Sequence, residues 1–102
     1  MPKSRNAIVT GSTSGIGLAI AHSLAADGCN ILLNGIADKD TVSKLVSELQ
    51  TKYRVQVDYS PADMTKPKEI AEMVAMCERV FGSTDILVNN AGIQHTAPID
   101  EF

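Results

Sequence analysis

A doubly wound parallel α/β fold is predicted by the order of segments in this chain. Short apolar runs of strand length alternate with longer stretches of helical periodicity. Glycines or polar turns separate them, and the first run leads straight into a glycine-rich loop that opens a helix.

Residues 6–10 (NAIVT) read as the first strand. Residues 15–27 read as a helix with Ile16, Ile20 and Leu24 on one face, stopped by Gly28. The run NILLN, residues 30–34, suits a strand buried on both faces, and Gly35 breaks it. Asp38 or Asp40 caps a second helix, in which Val42, Leu45, Val46, Leu49 and Tyr53 recur at helical spacing. Residues 55–59 form a third strand. Pro67 suits the first turn of a third helix, whose stripe is Ile70, Met73, Val74, Cys77 and Phe81, and Gly82 ends it. Residues 85–89 (DILVN) form the fourth strand, followed by a loop over 90–98 and a candidate helix start at Asp100. Right-handed crossovers between parallel strands then place helices on both faces of the sheet.

The 102 residues are expected to form one small domain, and 44% hydrophobic content supplies a core. A formal net charge of -3 gives no general attraction for nucleic acid or an anionic membrane surface. Residues 1–5 are too short and polar for a secretory leader, and no apolar stretch reaches bilayer-spanning length, so a cytoplasmic location is expected. Cys29 and Cys77 lie in apolar, periodic surroundings without metal-ligand spacing and read as buried free thiols. No metal site is expected.

The loop TGSTSGIG, residues 10–17, follows the first strand. A helix begins with backbone N–H groups that have no intrahelical acceptor, and its dipole adds partial positive charge there. Gly11 lets the chain turn off the strand, Gly15 removes a side chain that would block a pyrophosphate, and Gly17 lets helix and sheet approach closely. Ser12, Thr13 and Ser14 can add hydroxyl donors to phosphate or ribose, or act as ordinary caps and loop hydrogen bonds.

That Thr-Gly-x-x-x-Gly-x-Gly loop, with Asn89-Asn90-Ala91-Gly92 after the fourth strand, resembles the short-chain dehydrogenase/reductase family. The likeness covers essentially the whole chain and includes Asp63-Met64 after the third strand. It implies a Rossmann-like sheet of order 3-2-1-4 and NAD or NADP bound across the carboxyl ends of the strands. By position, it assigns Gly11, Thr13, Ser14, Gly15, Ile16 and Gly17 to the pyrophosphate. Asp63 and the Met64 backbone go to the adenine, and Asn90, Ala91 and Gly92 to the ribose side. Ser14 stands where NADP-using relatives often have a basic residue, while Asn34-Gly35-Ile36 stands where NAD users usually carry Asp. NAD is preferred over NADP; Asp38 and Lys39 would reverse that preference if their loop folds inward.

The stretch NNAGIQH with a following API resembles the bacterial D-3-hydroxybutyrate dehydrogenase branch, which implies that Gln94 binds a substrate carboxylate. A 3-oxoacyl carrier reductase and a non-catalytic nucleotide-binding module are the alternatives. His95 receives no catalytic role, and His22 reads as a surface residue. The family moves the hydroxyl proton with a Tyr and a Lys four residues on, aided by a Ser. Here Tyr53 is followed by Val57 and Tyr59 by Asp63, so no catalytic residue is assigned. Residues 1–102 are expected to be the dinucleotide-binding domain, incomplete relative to the family and inactive alone. The resemblance also implies a homo-oligomer, usually a tetramer, and a small hydroxy or keto acid as substrate.

Overall fold

The computed structural model describes residues 5–90. Strand β1 (Asn6–Val9), helix α1 (Gly15–Ala26), strand β2 (Asn30–Asn34), helix α2 (Lys39–Tyr53), strand β3 (Val57–Ser60), helix α3 (Pro67–Phe81) and strand β4 (Ile86–Val88) follow in order. The sheet order is β3-β2-β1-β4, and every pairing is parallel. Ala7 lies beside Ile31 and Ile86, and Val9 beside Leu33 and Val88. The expected strand order is therefore the observed one.

Side chains alternate across the two faces with the strand period of two. On one face Ala7, Val9, Ile31 and Leu33 pack with Ala21 and Ala25 of α1 and Leu49 of α2. On the other, Ile8 and Leu32 pack with Met73 and Cys77 of α3. Both cysteines are free and buried, and burial pushes both thiols up from their ordinary range. Among the described residues no helix is long and apolar enough to cross a membrane.

Four expectations are corrected by the structure. The buried line of α1 is Gly17, Ala21 and Ala25, with Ile20 and Leu24 half-buried beside it, whereas Ile16 is 72% exposed. Small residues every fourth position bring the helix close to the sheet, so the large Ile16 is turned away at its mouth. Strand β3 begins at Val57 rather than Val55, because Arg54 ends α2 in the left-handed region at φ 59° and the chain must first turn. His22 is half-buried rather than a surface residue: its Nδ1 hydrogen-bonds the Tyr53 hydroxyl at 2.8 Å and joins α1 to α2. The fourth strand is shorter than expected at both ends, and as the outer strand it leaves Leu87 40% exposed.

The amino end of the sheet is tied together by amides. Asn30 Nδ2 donates to Asn6 Oδ1 at 2.8 Å, and Asn30 Oδ1 accepts from the Gln56 N–H at 2.9 Å. Asn6 in turn donates to Ser83 Oγ at 2.9 Å, and its N–H donates to Asp85 Oδ2 at 2.9 Å. One chain of amides thus spans β1, β2 and the entries to β3 and β4.

Candidate functional site

Each helix runs back against the strands, so the helix N-termini gather at the carboxyl edge of the sheet. That of α2 has a side-chain acceptor. Asp38 Oδ1 accepts from the Thr41 N–H at 3.1 Å, and these bonds from Thr41 hold its carboxyl below the usual range. Helix α3 begins with Pro67, which removes one donor, and has Glu69 in its first turn. Helix α1 has neither device. Ser14 stands at its N-cap with extended backbone and no side-chain capping bond, and no acid lies in the first turn. The amides at its start therefore face the carboxyl edge with their partial positive charge unanswered by a side chain.

The loop before α1 is shaped by its glycines. Gly11 and Gly15 take φ of 60° and 61°, a conformation most side chains avoid. A Cβ on Gly15 would meet nothing within 4 Å, so the space over the helix start is open. A Cβ on Gly17 would collide with the Gly11 carbonyl and lie 2.7 Å from Asn90 Nδ2. That packing follows from the join between β1 and β4: Asn90 Nδ2 donates to the Gly11 carbonyl at 3.2 Å, and the Thr10 N–H donates to the Val88 carbonyl at 3.0 Å. Asn90 is thus bound to the glycine loop through its amide.

Of the two roles open to it, Ser12 takes the loop hydrogen bond. It is fully buried, its Oγ accepts from the Asn34 N–H at 3.0 Å, and its own N–H donates to the Asn34 carbonyl. Buried against β2, its hydroxyl serves the strand end rather than the open side of the loop. Thr13 packs over Gly35, where a Cβ would lie 2.6 Å from Thr13 Oγ1. Ser14 is exposed.

Between the ends of β1, β2 and β3 lies an open cleft of about 370 Å³. It brings together Gly11, Thr13 and Ser14 from the first loop, Ile36 from the second, and Asp63 and Met64 from the third. Gly15, Ile16 and Gly17 lie next to it on the first turn of α1, outside its lining. Ile36 is 99% exposed, and among the described residues no Lys or Arg lines the cleft. Asp38 and Lys39 are exposed at the start of α2 and do not reach the lining, so the loop does not fold inward. Asp63 is exposed, with Oδ1 accepting from the Thr65 N–H at 2.9 Å and Thr65 Oγ1 at 2.7 Å. Those bonds hold its carboxyl below the usual range, so it carries full negative charge at neutral pH. Ala91, Gly92, Gln94 and His95 lie outside the described residues.

Position in the chain marks Asn34 only as a missing acid, whereas the structure gives its side chain a place of its own. It is 1% exposed, donates to the Ser60 and Ala62 carbonyls at 3.0 and 3.1 Å, and accepts from the Gly11 N–H at 3.3 Å. A polar residue closing a run buried on both faces was the available signal, since a buried amide must find partners. Both tyrosine hydroxyls are hydrogen-bonded within the fold: Tyr53 to His22, and Tyr59 by donating to the Gly35 carbonyl.

The short chain dehydrogenase family matches this chain over residues 5–102. The chain belongs to that family. It is 51% identical to the D-beta-hydroxybutyrate dehydrogenase of Rhizobium meliloti, over 96% of this chain and 38% of the relative. It is 49% identical to the enzyme of the same name from Cupriavidus necator, over 100% of this chain and 39% of the relative. Among solved structures, L-sorbose reductase from Gluconobacter frateurii, complexed with NADPH and L-sorbose, superposes with a TM-score of 0.80 at 38% identity. That match covers 88% of this chain and 34% of the reductase. The chain thus spans about two fifths of the length of the curated relatives it matches.

Proposed function

We propose that this chain is the dinucleotide-holding part of a dehydrogenase that interconverts 3-hydroxybutyrate and acetoacetate with NAD. One observation carries the reading: a single cleft joins the loop before an α1 N-terminus without side-chain acceptors to Asp63 and Met64. The open space over Gly15 and the facing amides fit a diphosphate, and the exposed Asp63 carboxylate suits an adenine amino group. In this reading Gly11, Thr13, Ser14, Gly15, Ile16 and Gly17 hold the diphosphate, Asp63 and Met64 the adenine, and Asn90, Ala91 and Gly92 the ribose side. When bound, the nicotinamide supplies or accepts the hydride.

The charge of the cleft supports NAD. An additional phosphate on the adenosine ribose calls for a guanidinium or ammonium, and the lining offers none. The L-sorbose reductase structure, by contrast, holds NADPH. Calorimetric titration of the chain should give NAD at least about tenfold tighter binding than NADP, a difference of about 1.4 kcal/mol. Tighter NADP binding overturns the preference, and binding of neither overturns the dinucleotide reading.

The substrate assignment draws on the two hydroxybutyrate dehydrogenase relatives and on Gln94, whose amide can donate to a carboxylate without adding charge. Assay of the intact enzyme with 3-hydroxybutyrate and with a 3-oxoacyl thioester decides between this substrate and that of a carrier reductase. No Tyr in this chain has Lys four residues on, and a positioned acid or base contributes about 10² to 10⁴ in rate. The pure chain is therefore expected to bind dinucleotide without oxidising 3-hydroxybutyrate, and turnover by it would refute that expectation.

A further inference from the structure

We propose that the Asn34 side chain is a positioning residue that couples the adenine and diphosphate halves of the site. The inference rests on the dinucleotide reading above and adds to it a residue that is 1% exposed at the floor of the cleft and acts through the segments it joins.

Three segments meet at this one amide. Its Oδ1 accepts from the N–H of Gly11, the first glycine of the loop. Its Nδ2 donates to the carbonyls of Ser60, at the end of β3, and Ala62, the residue immediately before Asp63. The planar amide cannot bend, so it fixes the separation of the Gly11 loop from the segment that carries Asp63 and Met64. The backbone already ties the first two strands without it, through the Ser12 N–H and the Asn34 carbonyl. What the side chain adds is the link onward to residues 60–62. An apolar side chain would fill the same buried volume but could not make that link, and a carboxylate would set its oxygens against two carbonyls.

This arrangement also accounts for the lack of an acid at the end of β2. Nδ2 donates twice, so the same geometry disfavours a carboxylate at this position. A ligand that spans both subsites benefits from their fixed spacing, whereas a ligand that fills one does not.

The experiment follows from that difference. ADP spans both halves, adenosine fills one and inorganic pyrophosphate the other, and all three can be titrated into the chain by NMR or calorimetry. Asn34→Ala should weaken adenosine and pyrophosphate by no more than about threefold each, yet weaken ADP at least about tenfold beyond the product of those two losses. Asn30→Ala is the matched control, because Asn30 makes a comparable cross-strand amide link at the other end of the same strand. It should lower the melting temperature while leaving all three affinities in proportion. An ADP loss no larger than the product overturns the proposal, as does the same excess in Asn30→Ala. If Asn34→Ala does not fold, Asn34→Leu, which fills the same buried volume and makes none of the hydrogen bonds, carries the same comparison. Failure of both to fold makes the amide a requirement of the core and overturns its assignment to the site. If the unaltered chain binds no ADP, the dinucleotide reading fails first and this proposal falls with it; normal ADP binding with no excess loss removes the proposal alone.

Discussion

The two ends of α1 use the same backbone device for different purposes. Gly15 at its start and Gly28 beyond its end both have positive φ, 61° and 95°, and a Cβ on either would meet nothing within 4 Å. Near Gly28 lies the larger cleft, about 740 Å³ against about 370 Å³, lined by polar groups of Asn6, Asn30, Gln50, Arg54 and Gln56. Size and polarity would favour that end as a binding site. The direction of the backbone favours the other. At the Gly28 end, helix carbonyls point outward and are answered locally, the Gly28 N–H donating to the Ala25 carbonyl at 2.9 Å and the Cys29 N–H to the Leu24 carbonyl at 3.0 Å. At the Gly15 end N–H groups point outward, and only that end of the dipole attracts an anion. In the proposed reading the phosphate end is chosen by which backbone groups are left over, not by the room beside them.

The largest effect that can probe this contrast lies at Gly17. Gly17→Ala drives a methyl group into the Gly11 carbonyl and toward Asn90, at a place where neither backbone can yield freely. A loss of about 3 kcal/mol is expected, read as a fall in the urea midpoint. A smaller loss would show that the β1–β4 join is looser than its hydrogen bonds imply.

Next comes the direct test of the two ends. Gly15→Ala and Gly28→Ala should each destabilise the chain by about 1–2 kcal/mol, since each places a side chain at positive φ. Only Gly15→Ala should also reduce NAD affinity, by at least about tenfold, because its methyl group enters the space over the helix start. Equal affinities in the two variants would break the comparison.

Arg54 sharpens it on the opposite side. It is the one described non-glycine residue at positive φ, and it closes α2 near the larger cleft. Arg54→Gly should raise stability by about 0.5 kcal/mol without changing NAD affinity, because Gly takes the left-handed helix end with less strain. A fall in affinity would place part of the ligand at the wrong end of the sheet.

The smallest expected effect is a pH dependence at the start of α2. The Asp38 carboxyl is held below its ordinary 3.8 by hydrogen bonds from Thr41. Its contribution is therefore complete above that value and is lost as pH falls through the lower folded value. Acid titration followed by circular dichroism should show this component in the unaltered chain and not in Asp38→Asn, which keeps a capping oxygen that does not titrate. The same acid range should leave the start of α1 unchanged, because no carboxylate caps it.

Much of the fold was legible because period and punctuation agree. NILLN closed by Gly35 could only be a short buried strand, and Pro67 with the stripe from Ile70 to Phe81 marked α3 from end to end. Ile16 was misplaced for a physical reason: hydrophobicity ranks it above Gly17 and Ala21, yet close helix–sheet approach selects the small residues. The glycine loop and Asp63-Met64 were legible as motifs, but motifs do not reveal which hydroxyl is turned inward. Ser12 and Ser14 are chemically alike and two residues apart, and one is buried against β2 while the other is exposed. His22 likewise carries no sequence mark of its bond to Tyr53, thirty-one residues away.

The sequence by itself determined the alternation of strands and helices, the glycine-lined start of α1 and the family, because these depend on local periodicity and on short-range steric limits. Tertiary structure alone decided that Asn34 joins three chain segments, that Ser12 faces the strand, and that one cleft joins the loop before α1 to Asp63 and Met64. Those outcomes depend on distances between segments more than twenty residues apart, which the sheet order sets and no local pattern encodes.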